Sequence, residues 1–249
     1  MSLIQIENLT YRHPDGSPGI ANINFSIEQG EFVIIAGRNG SGKTTLCKHF
    51  NGLLRSEKGR VLINNVAVDS NLRQTRQSVG MVFQNPDSQI IGETVYNDIA
   101  FGPENLRLAH EEIQQRVERA IQIVGLEHLK DQRPHTLSGG EKKRLAIAGV
   151  LAMDPEIIIF DEPFSNLDYP GSIQLLHHII RLKQEKRTII VITHELEITI
   201  AQADRLVILE KGMIVRDGSP QDIIAEVEQF GVREPCSSKL GQGIQSWLN

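Results

Sequence analysis

The sequence predicts an α/β fold, a mostly parallel sheet flanked by helices and interrupted by a helical insert. Three observations carry that expectation. Apolar runs of strand length alternate with helical segments in the second half of the chain, the order that a parallel sheet needs. Residues 32–36 (FVIIA) form an unbroken apolar run, the mark of a strand covered on both faces. That run opens into a glycine-rich turn and then a helical stretch, so strand, loop and helix follow one another directly.

Bulk composition excludes several classes. With 249 residues, 40% of them hydrophobic and 23% charged, the chain is expected to form one or two domains whose core needs no disulfides. Cys47 and Cys236 read as free thiols of a reducing compartment. A formal charge of −5 argues against a protein that coats nucleic acid. No apolar run approaches the roughly 18 residues that cross a bilayer, and the opening MSLIQIENLT lacks the pattern of a signal peptide. Any membrane role is therefore expected to come through a partner.

Residues 1–60 read mainly as strands. Ile23, Phe25 and Ile27 alternate with polar neighbours, as in a half-buried strand ending at Gln29 and Gly30. The buried strand at 32–36 is followed by a helix expected over 43–54, and 61–63 and 79–83 read as short strands. Residues 111–124 carry Ile113, Val117, Ala120, Ile121 and Val124 on one stripe, an amphipathic helix. The next helix is expected to begin at Ser138, because Ser138-Gly139-Gly140-Glu141 has the spacing of a capping box. Together, about 86–152 form the helical insert. Strands return at 157–160, 189–193 and 206–209. Ser219 and Pro220 place a cap and a first-turn proline before a short helix holding Ile223, Ile224 and Val227. Beyond Phe230 no local pattern is legible, so one domain is expected over 1–228 and a short tail over 229–249.

Two segments carry chemistry on their own. Residues 37–44 (GRNGSGKT) match G-x-x-x-x-G-K-[ST] in the strand-then-helix setting that the motif requires. Its glycines let the backbone of Gly37, Arg38, Asn39, Gly40, Ser41 and Gly42 fold so that successive N–H groups face phosphate oxygens, and the helix through Thr44 and Thr45 adds its positive end. Lys43 is expected to reach the outer phosphates of a nucleotide, and the Thr44 hydroxyl to ligate Mg²⁺. In the second segment, the apolar strand 157–160 delivers Asp161 and Glu162 to its end, where open α/β sheets bind ligands. Asp161 is placed to hold the magnesium shell, and Glu162 to act as the base or water-orienting group.

Further motifs stand in order around these. Leu137-Ser138-Gly139-Gly140-Glu141 precedes Asp161, Gln84 follows a strand, Ser165-Asn166-Leu167-Asp168 follows the acidic pair, and His194 follows the strand 189–193. In this set the chain resembles the ATP-binding cassette (ABC) superfamily, over nearly its whole length from Leu3 to about Pro220. The resemblance implies a P-loop NTPase (RecA-like) core with an antiparallel β subdomain and a helical insert, the ABC nucleotide-binding domain. It implies Gln84 as the Q-loop glutamine near metal and water, His194 as the switch histidine and Tyr11 as an adenine-stacking aromatic, with His13 on the same surface. It also implies that Ser138, Gly139, Gly140 and Glu141 contact the γ-phosphate held by a second cassette chain, so that two chains close head-to-tail around ATP. Read alone, those four residues are a well-capped helix that uses the same Ser138 hydroxyl. Glu141 and Asn166 depart from the family's common glutamine and small residue, which leaves open whether the partner cassette is identical or a related chain.

The stretch after Gln84 resembles one group within the superfamily. Asn85-Pro86-Asp87-Ser88-Gln89, Glu93-Thr94-Val95, 101–106 (FGPENL) and 146–153 (AIAGVLAM) are similar to the energy-coupling factor importers and their cobalt and nickel relatives. By itself, Asn85–Gln89 reads as a polar turn. The resemblance implies an ATPase subunit on the cytoplasmic face of a membrane, partnered by a transmembrane coupling subunit and a solute-binding membrane subunit, importing a vitamin or a metal ion such as cobalt. An alternative is the ATPase of another ABC importer, for example for amino acids, that uses a solute-binding protein. A third, a soluble cassette acting on nucleic acid or ribosomes, is disfavoured by the one cassette, the short insert and the negative charge.

Overall fold

A computed structural model describes residues 2–248; Met1 and Asn249, the outermost residues of the expected domain and tail, lie outside the described residues. The chain opens with β1 (Ser2–Arg12) and β2 (Pro18–Glu28), which pair antiparallel. Next come β3 (Phe32–Ala36), the glycine turn and α1 (Lys43–Phe50). β4 (Lys58–Ile63) and β5 (Val66–Ala67) follow, and α2 (Leu72–Ser78) leads into β6 (Val79–Val82). The insert supplies α3 (Val95–Asn105), α4 (His110–Val124) and α5 (Gly139–Ala152). The chain then runs through β7 (Ile157–Asp161), α6 (Tyr169–Gln184), β8 (Thr188–Thr193), β9 (Arg205–Glu210) and β10 (Met213–Gly218). It ends in α7 (Pro220–Ile223), a 3₁₀ segment (Ile224–Phe230) and α8 (Cys236–Lys239).

Among the described residues the strands form two sheets, an antiparallel one in the order β2-β1-β4-β5 and a larger one in the order β10-β9-β3-β8-β7-β6. The larger sheet is parallel except for β10 at its edge. Its central strands are apolar on both faces, and each strand's period of two sorts its side chains into separate cores. Phe32, Ile34, Ile158, Phe160, Ile189 and Val191 pack with the helices of the insert and with α6. Val33, Ile35, Ile157, Ile159, Ile190 and Ile192 pack with α1 and the antiparallel sheet. The strand order also places β8 between β3 and β7, so the ends of all three open on one site.

The expected elements are present, with local differences that have physical causes. The helix expected over 43–54 stops at Phe50. Gly52 adopts a left-handed φ of 67°, and the amides of Leu53 and Gly52 turn back to Lys48 and His49 carbonyls, a Schellman end. The helix after Ser219 keeps α geometry only to Ile223 and continues as a 3₁₀ segment to Phe230. The tail, unpatterned in sequence, is ordered by distant contacts. Arg233 bridges Glu195, and the Cys236 amide donates to Glu197 Oε2 at 2.8 Å. Cys47 is fully buried on α1, where burial holds its thiol well above the usual range.

The capping box at Ser138 is complete. The Glu141 amide donates to Ser138 Oγ, and both the Ser138 amide and its hydroxyl donate to Glu141 Oε2 at 2.7 Å. These bonds from Ser138 hold the Glu141 carboxyl below its ordinary value of 4.5, so the folded chain binds that proton less readily than the unfolded chain. The resulting stabilisation is present above 4.5 and is lost as pH falls through the lower folded value. Glu141→Gln should therefore melt below wild type at neutral pH, and the two thermal midpoints should converge as the solution is acidified. A gap that stays constant through the acid range would contradict the assignment of that shift to this box.

Candidate functional site

The turn between β3 and α1 can be built only with glycines. Gly37, Gly40 and Gly42 have φ of 151°, 78° and 102°. A Cβ on Gly37 would also lie 2.2 Å from the Leu209 carbonyl oxygen and 2.7 Å from Ser41 Oγ. Lys43, buried at the start of α1, folds its ammonium across this turn and donates to the carbonyls of Gly37 (2.7 Å) and Arg38 (3.0 Å). Burial pushes that ammonium below its ordinary pKa, against the opposing pull of Glu162 and Asp161. Ser41 Oγ is buried with no hydrogen-bond partner.

Two acidic groups stand opposite at the end of β7. Asp161 Oδ2 accepts a bond from the Thr44 hydroxyl at 2.8 Å. Burial raises the Asp161 carboxyl above its usual range; the Thr44 bond lowers it in part and the Glu162 charge adds to the rise. Glu162 has a left-handed φ of 47°, a conformation rare for a residue with a Cβ. That turn aims its carboxylate away from Asp161 and toward the end of β8. There Oε1 meets His194 Nδ1 at 2.7 Å, and Oε2 accepts the Thr193 hydroxyl at 3.2 Å.

A cavity of about 320 Å³ is lined by Asn39 to Thr45, Gln84, Asp161 and Glu162, with His13, Pro18 and Gly19; Thr193 and His194 stand behind Glu162 and do not line it. Most of the residues expected from sequence therefore converge. Others stand elsewhere. Tyr11 lies behind Gly19 and packs edge-on against His13 and His49, with ring centroids 5.3 Å and 5.0 Å away, so His13 rather than Tyr11 faces the cavity. The Arg38 side chain is turned toward the tail, where a Cβ on Gly231 would lie 2.6 Å from Arg38 Cδ. Ser138 and Gly139 are exposed, Gly140 and Glu141 partly so, and none of the four lines the cavity.

Sequence reasoning passed over Lys143, Thr193 and the supporting hydroxyl of Ser165. Lys143 lies 3% exposed, and burial pushes its ammonium down to about 8. A signal existed: Lys143 shares the helical spacing of Ala146, Ile147 and Val150, which places a lysine on a buried stripe.

The residues present fit a nucleotide and a hard divalent cation. The glycine turn, whose conformation excludes side chains at 37, 40 and 42, and the Ser41 hydroxyl, unpartnered among the described residues, leave donors for phosphate oxygens. Thr44 and Asp161 offer a hydroxyl and a carboxylate, the hard oxygen donors that Mg²⁺ prefers. Among the described residues no three His, Cys, Asp or Glu side chains gather into a metal site of their own. One carboxylate and one hydroxyl make a donor set that is completed by a substrate's phosphates.

Comparison with known proteins agrees with this geometry. The pattern of the family described as ABC transporter matches residues 20–165. Over 248 residues the chain is 42% identical to a Methanosarcina acetivorans protein named energy-coupling factor transporter ATP-binding protein EcfA, covering 98% of this chain and 90% of that one. The structure of cbiO1 from Clostridium perfringens, described as part of the ABC transporter complex cbiONQ, matches with a TM-score of 0.81 at 37% identity, covering 97% of this chain and 99% of that one. A dimeric ATP-binding cassette in a post-hydrolysis state, bound to ADP and Pi, matches with a TM-score of 0.79 at 28% identity, covering 87% of this chain and 98% of that one. The nucleotide cradle, the paired acids and these likenesses lead to one conclusion: the chain belongs to the ABC transporter family and is an ATPase of it.

Proposed function

We propose that this ATPase powers a membrane importer of the energy-coupling factor type, working on the cytoplasmic face of the membrane as a peripheral subunit. The observation that carries the catalytic part is the placement of Glu162 between His194 and the phosphate loop. The backbone of 37–42 and the Lys43 ammonium receive the phosphates of ATP. Mg²⁺, held by Thr44 and Asp161 with Gln84 beside it, supplies neutralisation of phosphate charge when bound. Glu162 accepts a hydrogen bond, and then the proton, from the water that attacks the γ-phosphorus as the bond to ADP breaks. His194 and Thr193 hold the Glu162 carboxylate in that aim. His13, which lines the same cavity, offers its ring to the adenine face.

The exposed Ser138 helix start supports a head-to-tail pair. A capped helix N-terminus facing outward is a half-site for anions, and the γ-phosphate of a second cassette is its proposed occupant. Coupling is proposed at the groove of about 520 Å³ beside the 85–89 turn, lined in part by Asp87, Ile90, Ile91, Arg133 and Lys142. Ile91 and Phe101 are 62% and 49% exposed nearby, apolar surface suited to a membrane subunit's helix. Among the described residues no helix is long and apolar enough to cross a membrane, so transport needs that transmembrane partner. The names of the relatives support the energy-coupling factor type, with a solute-binding membrane subunit selecting a vitamin or a metal ion such as cobalt.

Four outcomes test this reading. Glu162→Gln should keep ATP affinity within about twofold and lower turnover on the order of 100-fold or more; near-normal turnover would remove Glu162 from its role. Lys43→Ala should lose nucleotide affinity and hydrolysis together, and retention of both in equilibrium binding and phosphate release would overturn the phosphate-loop assignment. His13→Ala should weaken ATP binding by about three- to tenfold, in line with loss of one stacking contact, while Tyr11→Leu changes it less. The reverse order would return adenine stacking to Tyr11. Affinity purification from detergent-solubilised membranes tests the transporter type. Recovery of a coupling subunit and a solute-binding membrane subunit is expected; recovery of a permease with a separate solute-binding protein would replace this reading.

A further inference from the structure

One side chain of the insert is buried directly against the hydrolytic site. Lys143 on α5 is 3% exposed, and its Nζ donates to the Glu162 carbonyl (2.7 Å), to Ser165 Oγ (3.1 Å) and to the Gln84 carbonyl (3.5 Å). An ammonium has three N–H donors and no acceptor, so each donor has one partner, two on the Glu162–Ser165 turn and one at Gln84. This matching satisfies a charge that burial would otherwise make costly. The Glu162 carbonyl is gripped twice, since the Ser165 hydroxyl also donates to it at 2.8 Å. Glu162 is the residue with a φ of 47°, and it is this backbone turn that directs the carboxylate to His194.

The same helix holds the segment after Gln84 by two other bonds. Lys142 pairs with Asp87 at 2.7 Å, and Gln89 Nε2 donates to the Ala146 carbonyl at 3.4 Å. A displacement of α5 therefore moves the 84–89 segment and the Glu162–Ser165 turn together, and Lys143 is the contact that both share.

We propose that Lys143 is a positioning residue for ATP hydrolysis: it holds the Glu162 backbone in its left-handed turn and so ties the placement of the helical insert to the aim of the Glu162 carboxylate. This rests on the role proposed above for Glu162. The bonded atoms are main-chain and hydroxyl oxygens, so Lys143 acts on the reaction through the placement of Glu162 and Gln84 and leaves nucleotide binding to the phosphate loop.

The test compares Lys143→Met, Lys143→Gln and Glu162→Gln in the full chain, reading kcat, KM, the Kd of a fluorescent ATP analogue and the thermal midpoint. A misplacement of about 1 Å can cost on the order of 100-fold in rate. Lys143→Met, which keeps the aliphatic stem and removes all three donors, should lower kcat about tenfold or more with Kd within about twofold. Lys143→Gln, whose amide retains donors, should recover part of that loss. Turnover of Lys143→Met within about twofold of wild type, with Glu162→Gln inactive, overturns the inference alone. Kd, kcat and thermal midpoint all failing together in a folded Lys143→Met also overturns it, because Lys143 then only supports the fold. Full turnover in Glu162→Gln removes the reading on which the inference rests. If Lys143→Met does not fold, Ser165→Ala decides: a fall in kcat at unchanged Kd supports the inference, and unchanged kcat overturns it.

Discussion

Two carboxyl groups in adjacent positions at the end of one buried strand set the constraint that organises this site. Asp161 and Glu162 cannot share one direction without repelling each other, and burial already disfavours the charge on Asp161. The chain separates them at the backbone. Asp161 ends the regular strand and faces Thr44, while the left-handed turn at Glu162 sends the next carboxylate toward His194 and Thr193. One carboxylate thereby sits against Thr44 and the other against His194 and Thr193, although a single peptide bond joins the two residues.

The strand order makes that separation possible. β8 lies between β3 and β7, so the residues following it fall between the phosphate loop and the acidic pair. The Glu162 amide is anchored on the Ile192 carbonyl at 2.9 Å, which fixes the start of the turn to the central strand. Both faces of this sheet are packed, so the ends of its strands form a rigid base. The insert packs on one face of that base and is also bonded to the site around Gln84 and at the Glu162–Ser165 turn, from α5.

Much of this was legible in the sequence because the relevant signals are local. The apolar run at 32–36, the glycine spacing of 37–44 and the Ser138–Glu141 box each specify backbone geometry over a few residues, and each appears as expected. The end of α1 was misjudged because apolar Leu53 and Leu54 extend the helical pattern past Gly52, whose left-handed conformation stops it. The sequence put Tyr11 ahead of His13 on this surface, but Tyr11 packs edge-on against His49, and His13, just past the end of β1, lines the cavity. The burial of Lys143 was legible in its helical spacing, but its partners and the ordered tail depend on contacts across long sequence separations, which no window of the sequence contains.

On the proposed head-to-tail pairing, one chain holds the phosphate loop, acids and histidine of a site, and a second cassette supplies the rest from its Ser138 helix start. Complementation tests it most directly. Gly139 has open space around its Cβ position, and an acid at a helix start is favourable, so Gly139→Asp should leave the fold intact while repelling phosphate. Chains carrying Gly139→Asp and chains carrying Lys43→Ala should each be inactive alone and recover phosphate release when mixed, because the mixed pair contains one complete site. Full turnover by Gly139→Asp alone, or a mixture as inactive as its parts, would contradict a site shared between two cassettes.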